Sequence, residues 1–176
     1  MGLDVPVIET ERLILRGRRT EDFPAYAEMW AHPDVVRYTT GKPLSREDAW
    51  TKFARMTGFW ALTGYGFWAV EEKTNGAFIG EAGLADFRRD IEPSLDGKPE
   101  FGWGLVSAAQ GKGYATEALR AALDWACVNL PAQAYCCIID RENAASIRVA
   151  EKCGFRKTAE TVYKNAPIII FERARG

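Results

Sequence analysis

The residues best placed to do chemistry are Gln110-Gly111-Lys112-Gly113-Tyr114-Ala115. They lie between two periodic segments. Before them, Glu100 to Val106 reads as a strand. After them, Leu119, Ala122, Leu123, Ala126, Cys127 and Leu130 recur at helical spacing. Two glycines therefore sit where a strand hands over to a helix. A helix start carries unpaired N–H groups and the positive end of the helix dipole. Glycine lets a phosphate approach that bare backbone. The chemistry implied is capture of a phosphorylated ligand, a pyrophosphate above all. A tight turn without a ligand is the plain alternative for the glycines, and a solvated loop is the alternative for the Gln110 and Lys112 side chains. Two nucleotide loops are excluded. A P-loop needs Ser or Thr after its lysine, but Gly113 follows Lys112. The dinucleotide fingerprint needs a third glycine where Thr116 stands.

The chain that must position this turn has 176 residues, 47% of them apolar and 27% charged. That suits one globular domain, 1–176, with one sizeable core. A net charge of -1 gives no electrostatic reason to expect nucleic acid. No apolar run approaches the roughly 20 residues that cross a bilayer, so no membrane partner is expected. Met1 to Ile8 lacks a basic region followed by an apolar stretch. Pro6 stands where a myristoylation motif beginning at Gly2 needs Ser or Thr. The cysteines are Cys127, Cys136, Cys137 and Cys153, with no C-x-x-C pair and only His32 as an imidazole. No metal site is expected from these, and buried free thiols in a reducing cytoplasm are.

The remaining elements follow from pattern. Arg12 to Arg16 reads as a strand. Thr20 offers a helix N-cap, with Phe23, Tyr26, Ala27 and Trp30 as the apolar stripe and Pro33 as the stop. Ser45-Arg46-Glu47-Asp48 resembles a capping box. It opens a helix striped by Ala49, Phe53, Met56 and Trp60 and closed by Gly64. Phe67 to Glu71 and Ala77 to Leu84 are strands joined by a turn at Asn75-Gly76. Residues 86–99 form a long loop. Ala134 to Ile139 is a strand whose adjacent Cys136 and Cys137 point to opposite faces. Asn143 caps a short helix ending at Gly154. Thr161–Lys164 and Ile168–Arg173 make a last pair, broken near Pro167. The order is β-α-α-β-β-β-α-β-α-β-β.

Gln110-x-x-Gly113-x-Ala115 fits the Gln/Arg-x-x-Gly-x-Gly/Ala pattern. With Thr10 to Arg16, Phe78 to Leu84 and Asn143 to Phe155 in the same order and spacing, the chain resembles the GCN5-related N-acetyltransferase (GNAT) superfamily almost end to end. It looks closest to the branch holding the ribosomal-protein N-terminal acetyltransferases. The resemblance implies an α/β (α+β) fold with a mixed, mostly antiparallel central sheet flanked by helices. That sheet is splayed between the fourth and fifth strands, Glu100–Val106 and Ala134–Ile139. It also implies acetyl-CoA as cosubstrate, wedged in the gap, and an amine as acceptor. Leu105 and Val106 would make main-chain contacts to the pantetheine arm. Gly111, Lys112, Gly113, Tyr114 and Ala115 would hold the pyrophosphate, with the Thr116 hydroxyl and Gln110 in reach. Asn143 would bond the pantetheine amides.

An amine attacking a thioester must lose a proton, its oxyanion must be stabilised, and the departing thiolate needs a donor. Much of the superfamily resembles Asn…Tyr…Gly-Phe, with the phenol four residues before the glycine. Here that position is Ala150. Ser146 lies one turn earlier on the same face and is the expected thiolate partner. Capping its own helix turn is the alternative. Glu100 is the first choice of base and Glu81 the second, each with a salt-bridged strand carboxylate as its alternative. A water chain suffices for an α-amine, whose pKa is near 8 against about 10 for an alkylamine. His32 sits at a helix end and is expected to cap it. Trp30, Tyr38, Trp60, Tyr65 and Trp68 are candidates for an acceptor pocket or for core. An acyl-CoA sensor without turnover is the alternative function, and a scaffold without any donor a third. Exposed edge strands allow a homodimer.

Overall fold

The computed structural model describes residues 3–176. Met1 and Gly2, on which part of the N-terminal reading rests, lie outside them. The strands are β1 (Ile8–Glu9), β2 (Leu13–Arg16), β3 (Phe67–Glu72), β4 (Ala77–Ala85), β5 (Glu100–Leu105), β6 (Ala134–Asp140), β7 (Arg156–Tyr163) and β8 (Ala166–Ala174). The helices are α1 (Phe23–Ala31), α2 (Pro33–Val36), α3 (Arg46–Thr63), α4 (Tyr114–Asn129) and α5 (Ala144–Lys152). All strands share one sheet in the order β1-β2-β3-β4-β5-β6-β8-β7. Every neighbouring pair is antiparallel except β5 and β6.

That exception builds the site. The parallel β5–β6 ladder holds one register pair, Glu100 opposite Cys136, with the Cys136 N–H donating to the Pro99 carbonyl at 3.2 Å. Beyond it the two strands part, and the sheet opens as the resemblance implies. Because Ile8–Glu9 adds a short strand ahead of the first expected one, the split falls between the fifth and sixth strands. Helices cover both faces. Phe101 and Leu105 of β5 point into the main core with Ala118, Leu119, Ala122 and Leu123 of α4 and Ala150 and Cys153 of α5. On the other face α1 and α3 close a second cluster around Tyr26, Trp30, Ala49 and Phe53.

Local chemistry explains most boundaries. The Ser45 hydroxyl accepts the Asp48 N–H at 3.0 Å, and the whole stripe Ala49, Phe53, Met56 and Trp60 is buried. Gly64 ends α3 in the left-handed region at φ 77°. Asn143 Oδ1 accepts the Ser146 N–H at 3.1 Å and starts α5. Three expectations are corrected. Thr20 does not cap α1. It opens a 3-10 turn, Thr20–Asp22, whose N-cap is Arg19. The Asp22 carboxylate accepts the Arg19 N–H at 2.8 Å and a fork from Arg16, both bonds at 2.8 Å. Pro33 does not simply stop a helix: its fixed φ opens α2, and His32 Nδ1 caps that turn by accepting the Asp34 N–H at 3.3 Å. The last hairpin turns at Lys164 and Asn165, both with positive φ, so β7 and β8 are longer than expected and Pro167 lies inside β8.

Candidate active site

At the mouth of the split, the Gln110–Ala115 segment makes the turn into α4. Gly111 and Gly113 adopt φ values of 75° and 81°, the left-handed region that costs any other L-residue strain. An added Cβ at Gly111 would meet nothing within 4 Å, so the turn presents open backbone there. From Gly111 through Thr116, no main-chain N–H finds an acceptor among the described residues. The next one, Glu117 N–H, is satisfied by the Gly113 carbonyl at 3.1 Å. Gln110 is not simply solvated: its side-chain amide donates to the Leu105 carbonyl at 3.2 Å and ties the turn to β5. The Lys112 side chain makes no hydrogen bond or ion pair among the described residues.

A second layer fixes that turn. Arg12 donates to the Lys112 carbonyl at 2.9 Å and to Glu117 Oε2 at 2.7 Å, and lies 4.5 Å over the Tyr114 ring. Glu117 Oε1 also accepts from the Thr10 hydroxyl at 2.6 Å and the Arg12 N–H at 2.9 Å. Burial pushes the Glu117 carboxyl up, but these donors outweigh it and hold it below the usual range. Tyr114 donates to Glu72. The Thr10–Arg16 segment is thus a brace for the turn. No single-sequence pattern assigns Arg12 that role, since its partners lie about a hundred residues away.

On the α1/α3 side of the sheet the split continues into a cavity of about 540 Å³. Its floor belongs to β4 and β5. Cross-strand neighbours share a face, so Glu81 opposite Gly104, Gly83 opposite Gly102 and Ala85 opposite Glu100 form one surface. Of its glycines only Gly102 lines the cavity, and the Phe67 ring packs within 3.0 Å of where a Cβ there would stand; two carboxylates flank this floor. Each is compensated. Arg18, with a side chain 1% exposed, donates to Glu81. Arg89 grips Glu100 with two bonds, Nε to Oε2 at 2.6 Å and Nη2 to Oε1 at 2.7 Å. Burial drives the Glu100 carboxyl above the usual range, offset only in part by Arg89. Glu100 lies at the vertex of the split. The resemblance pointed to both carboxylates but to neither arginine; a charge on a loop, such as Arg89, carries no local signal of its partner.

Asn143 and Ser146 line the same cavity from α5. The Ser146 hydroxyl makes no hydrogen bond among the described residues, so it does not cap its turn; only its N–H is used. Ala150 is fully buried in the core and does not line the cavity. Of the aromatic candidates, Trp30 and Tyr38 line the cavity. Trp60, Trp68 and Trp125 instead pack edge to face, centroids 4.8 to 5.6 Å apart, and Tyr65 packs against the core that holds them. For Trp60, Trp68 and Tyr65 the core alternative therefore holds. The cysteines are unpaired; burial raises the thiol pKa of Cys136 and Cys137, which face different clusters. No cluster of metal-ligating side chains occurs among the described residues, and none of their helices is long and apolar enough to cross a membrane.

A split mixed sheet, a helix start with free amides at one end and a recessed carboxylate-bearing cavity at the other define an acyltransferase class. The chain belongs to the family of the acetyltransferase (GNAT) domain, whose profile matches residues 12–156, and it is an N-acetyltransferase. It is 30% identical to the uncharacterized protein YkkB of Bacillus subtilis (strain 168), over 93% of both chains. A GnaT-family acetyltransferase structure from Bordetella pertussis superposes with a TM-score of 0.85 at 30% identity, covering 97% of this chain and 100% of that one. An acetyltransferase from Agrobacterium tumefaciens str. C58 gives 0.83 at 27%, covering 98% and 96%. The ribosomal alpha-N-protein acetyltransferase RimL, solved with coenzyme A, shares the fold at a TM-score of 0.78 and 16% identity, over 96% of this chain and 98% of its own. Spermidine N-acetyltransferase from Vibrio cholerae, solved with CoA and spermine, does so at 0.76 and 17%, over 94% and 97%.

Proposed function

We propose that the chain transfers an acetyl group from acetyl-CoA to a primary amine by direct attack in a ternary complex. The observation that carries this reading is the row of free N–H groups from Gly111 through Thr116, set at the open end of the β5–β6 split. Those amides, with the dipole of α4 behind them, suit a diphosphate. The Thr116 hydroxyl and the Lys112 ammonium are in reach of the same charge. The pantetheine arm runs into the split, bonding the unfinished edge of β5 near Leu105 and Val106 like an added strand, with Asn143 at its amides. Its thioester then lies over the β5 floor beside Glu100.

The chemistry follows from the groups around that point. The ammonium of the acceptor gives a proton to Glu100, directly or through a water. Arg89 holds both carboxylate oxygens, yet each keeps a second lone pair for that proton. Glu100 with its raised pKa is a better base than an ordinary carboxylate, since Brønsted behaviour favours a pKa nearer the working pH. Glu81 is the second candidate, enclosed by Arg18. The amine nitrogen bonds the carbonyl carbon and a backbone N–H of β5 near Leu105 takes the oxyanion; as the C–S bond breaks, the second nitrogen proton passes to the departing sulfur, leaving amide and free thiol. The free Ser146 hydroxyl hydrogen-bonds the departing thiolate. Four unpaired thiols fit a reducing compartment such as the cytoplasm.

The test separates donor binding from turnover. Free-thiol release from acetyl-CoA is followed across a panel of amines and peptides, with CoA affinity measured by calorimetry. Gly111→Asp is compared with Gly111→Asn. Both side chains tolerate a left-handed backbone about equally, so only the added charge differs. CoA affinity is expected to fall at least tenfold further in the Asp variant, with both proteins folded. Equal affinities would contradict the placement of the diphosphate. Intact CoA binding without thiol release on any amine would make the chain an acyl-CoA sensor.

A further inference from the structure

Three cations of the cavity lining, Lys52, Arg55 and Lys164, make no ion pair among the described residues; Lys164 lies against the Tyr163 ring on the β7–β8 turn, and the other two share one wall. Lys52 and Arg55 lie three residues apart on α3 and both line the cavity. Neither makes an ion pair or a hydrogen bond among the described residues; the Lys52 ammonium sits 4.2 Å over the Trp30 ring and Arg55 is exposed at the wall. The carboxylates that might have served them are occupied, Glu81 by Arg18 and Glu100 by Arg89. Asp140, the remaining acid of the lining, accepts the Glu142 N–H at 2.8 Å. Arg37 on the rim is bound to Asp34 at 3.0 Å. The α3 wall therefore offers donors and positive charge with nothing to receive them.

An ammonium held against a low-dielectric wall without a partner is costly, and an arriving anion removes that cost. Burial depresses the Lys52 pKa; Glu81 offsets this in part, and Arg55, Arg18 and Arg89 add to it. A second ammonium brought to this wall would raise the repulsion further. The cavity volume of about 540 Å³ falls among small-molecule sites and must also admit the thioester.

We infer that Lys52 and Arg55 form an anion site for the acceptor, so that the substrate is a small primary amine carrying a carboxylate, of the amino-acid class, with its amine toward Glu100 and its carboxylate on α3. Polyamines and aminoglycosides are selected against by the same charges. This assignment rests on the acetyl-transfer reading for its substrate, but the anion site itself is testable without turnover.

The experiment uses the full chain saturated with CoA. Calorimetry measures binding of a set of N-acetyl amino acids and of the matching N-acetyl amino-acid amides, which differ only in the carboxylate. Thiol release from acetyl-CoA is measured in parallel with the free amino acids, their amides and spermidine. At least one acid is expected to bind tenfold or more tighter than its amide. Lys52→Met and Arg55→Gln should each erase most of that ratio while leaving CoA affinity unchanged; Arg55 is exposed, so its variant keeps the test open if Lys52→Met unfolds. Acids and amides binding alike, spermidine as the preferred acceptor, or an acid preference that survives both substitutions would overturn the anion site. Acid-selective binding without any thiol release would sustain the anion site and sink the transfer reading instead.

Discussion

The two ends of the split are built from opposite materials. At the α4 end recognition belongs to the main chain: bare N–H groups, two left-handed glycines and a dipole, with side chains acting only from behind through Arg12 and Glu117. At the α3 end the main chain is nearly mute. The floor on β4 and β5 carries Glu81 and Glu100, and Arg18, Arg89, Lys52 and Arg55 stand around it. A main-chain site asks only for a backbone path and is shared easily across a family. A side-chain site depends on which charges are paired and which are left over, and that is where chains of one fold differ.

The contrast is most easily broken at Arg89. Arg89→Met strands the Glu100 carboxylate in a buried place, with an expected loss of about 3 kcal/mol in unfolding free energy. The double variant with Glu100→Gln should recover most of it. Chemical denaturation checks both; an unchanged midpoint in Arg89→Met would mean that the pair does no structural service. A smaller effect is expected from Glu100→Gln alone, a fall in kcat/KM of roughly a hundredfold. Because burial raises the Glu100 pKa, its base form appears only as pH climbs past the ordinary carboxylate range, so activity should rise with pH there. Stability has the opposite sign: the folded state holds this proton more tightly than the unfolded one, so the Glu100 contribution declines as pH rises from the ordinary carboxylate pKa through the raised one. Glu100→Gln should abolish both slopes, and a rate profile that keeps its acid limb would remove Glu100 from the role of base.

At the other end the effect should be gentler. Arg12→Ala removes bonds from a partly exposed side chain, with an expected cost of about 1 kcal/mol to the fold or to CoA binding, roughly fivefold in the latter. Isothermal titration with CoA reads it directly. An effect as large as that of the Gly111 charge variant would show that the turn depends on its brace more than on its own backbone.

The same division decided what the chain reveals before folding. The turn was legible because glycine spacing, a preceding strand and a following helix are local. The α3 stripe and the Ser45 and Asn143 caps were legible for the same reason. The braces were not: Arg12 finds Glu117 and Lys112, and Arg18 finds Glu81, only after the sheet has formed. The start of α1 was misplaced because Asp22, one of several polar residues in a row, is recruited by Arg16 across the turn. The tryptophans were ambiguous for a related reason. Trp30 and Trp68 look alike in sequence, and only strand alternation against α4 sends Trp68 into the core while Trp30 stays beside the cavity.

One consequence of the single Glu100–Cys136 pair reaches beyond catalysis. Strand borders left unzipped ordinarily invite foreign chains to stack on them, which is why most proteins blunt their rims. Here two such borders look at each other across a slot, inside the molecule, where a stranger cannot lie alongside without threading in. The liability has become a socket, and its natural plug is the arm of a slender thiol carrier.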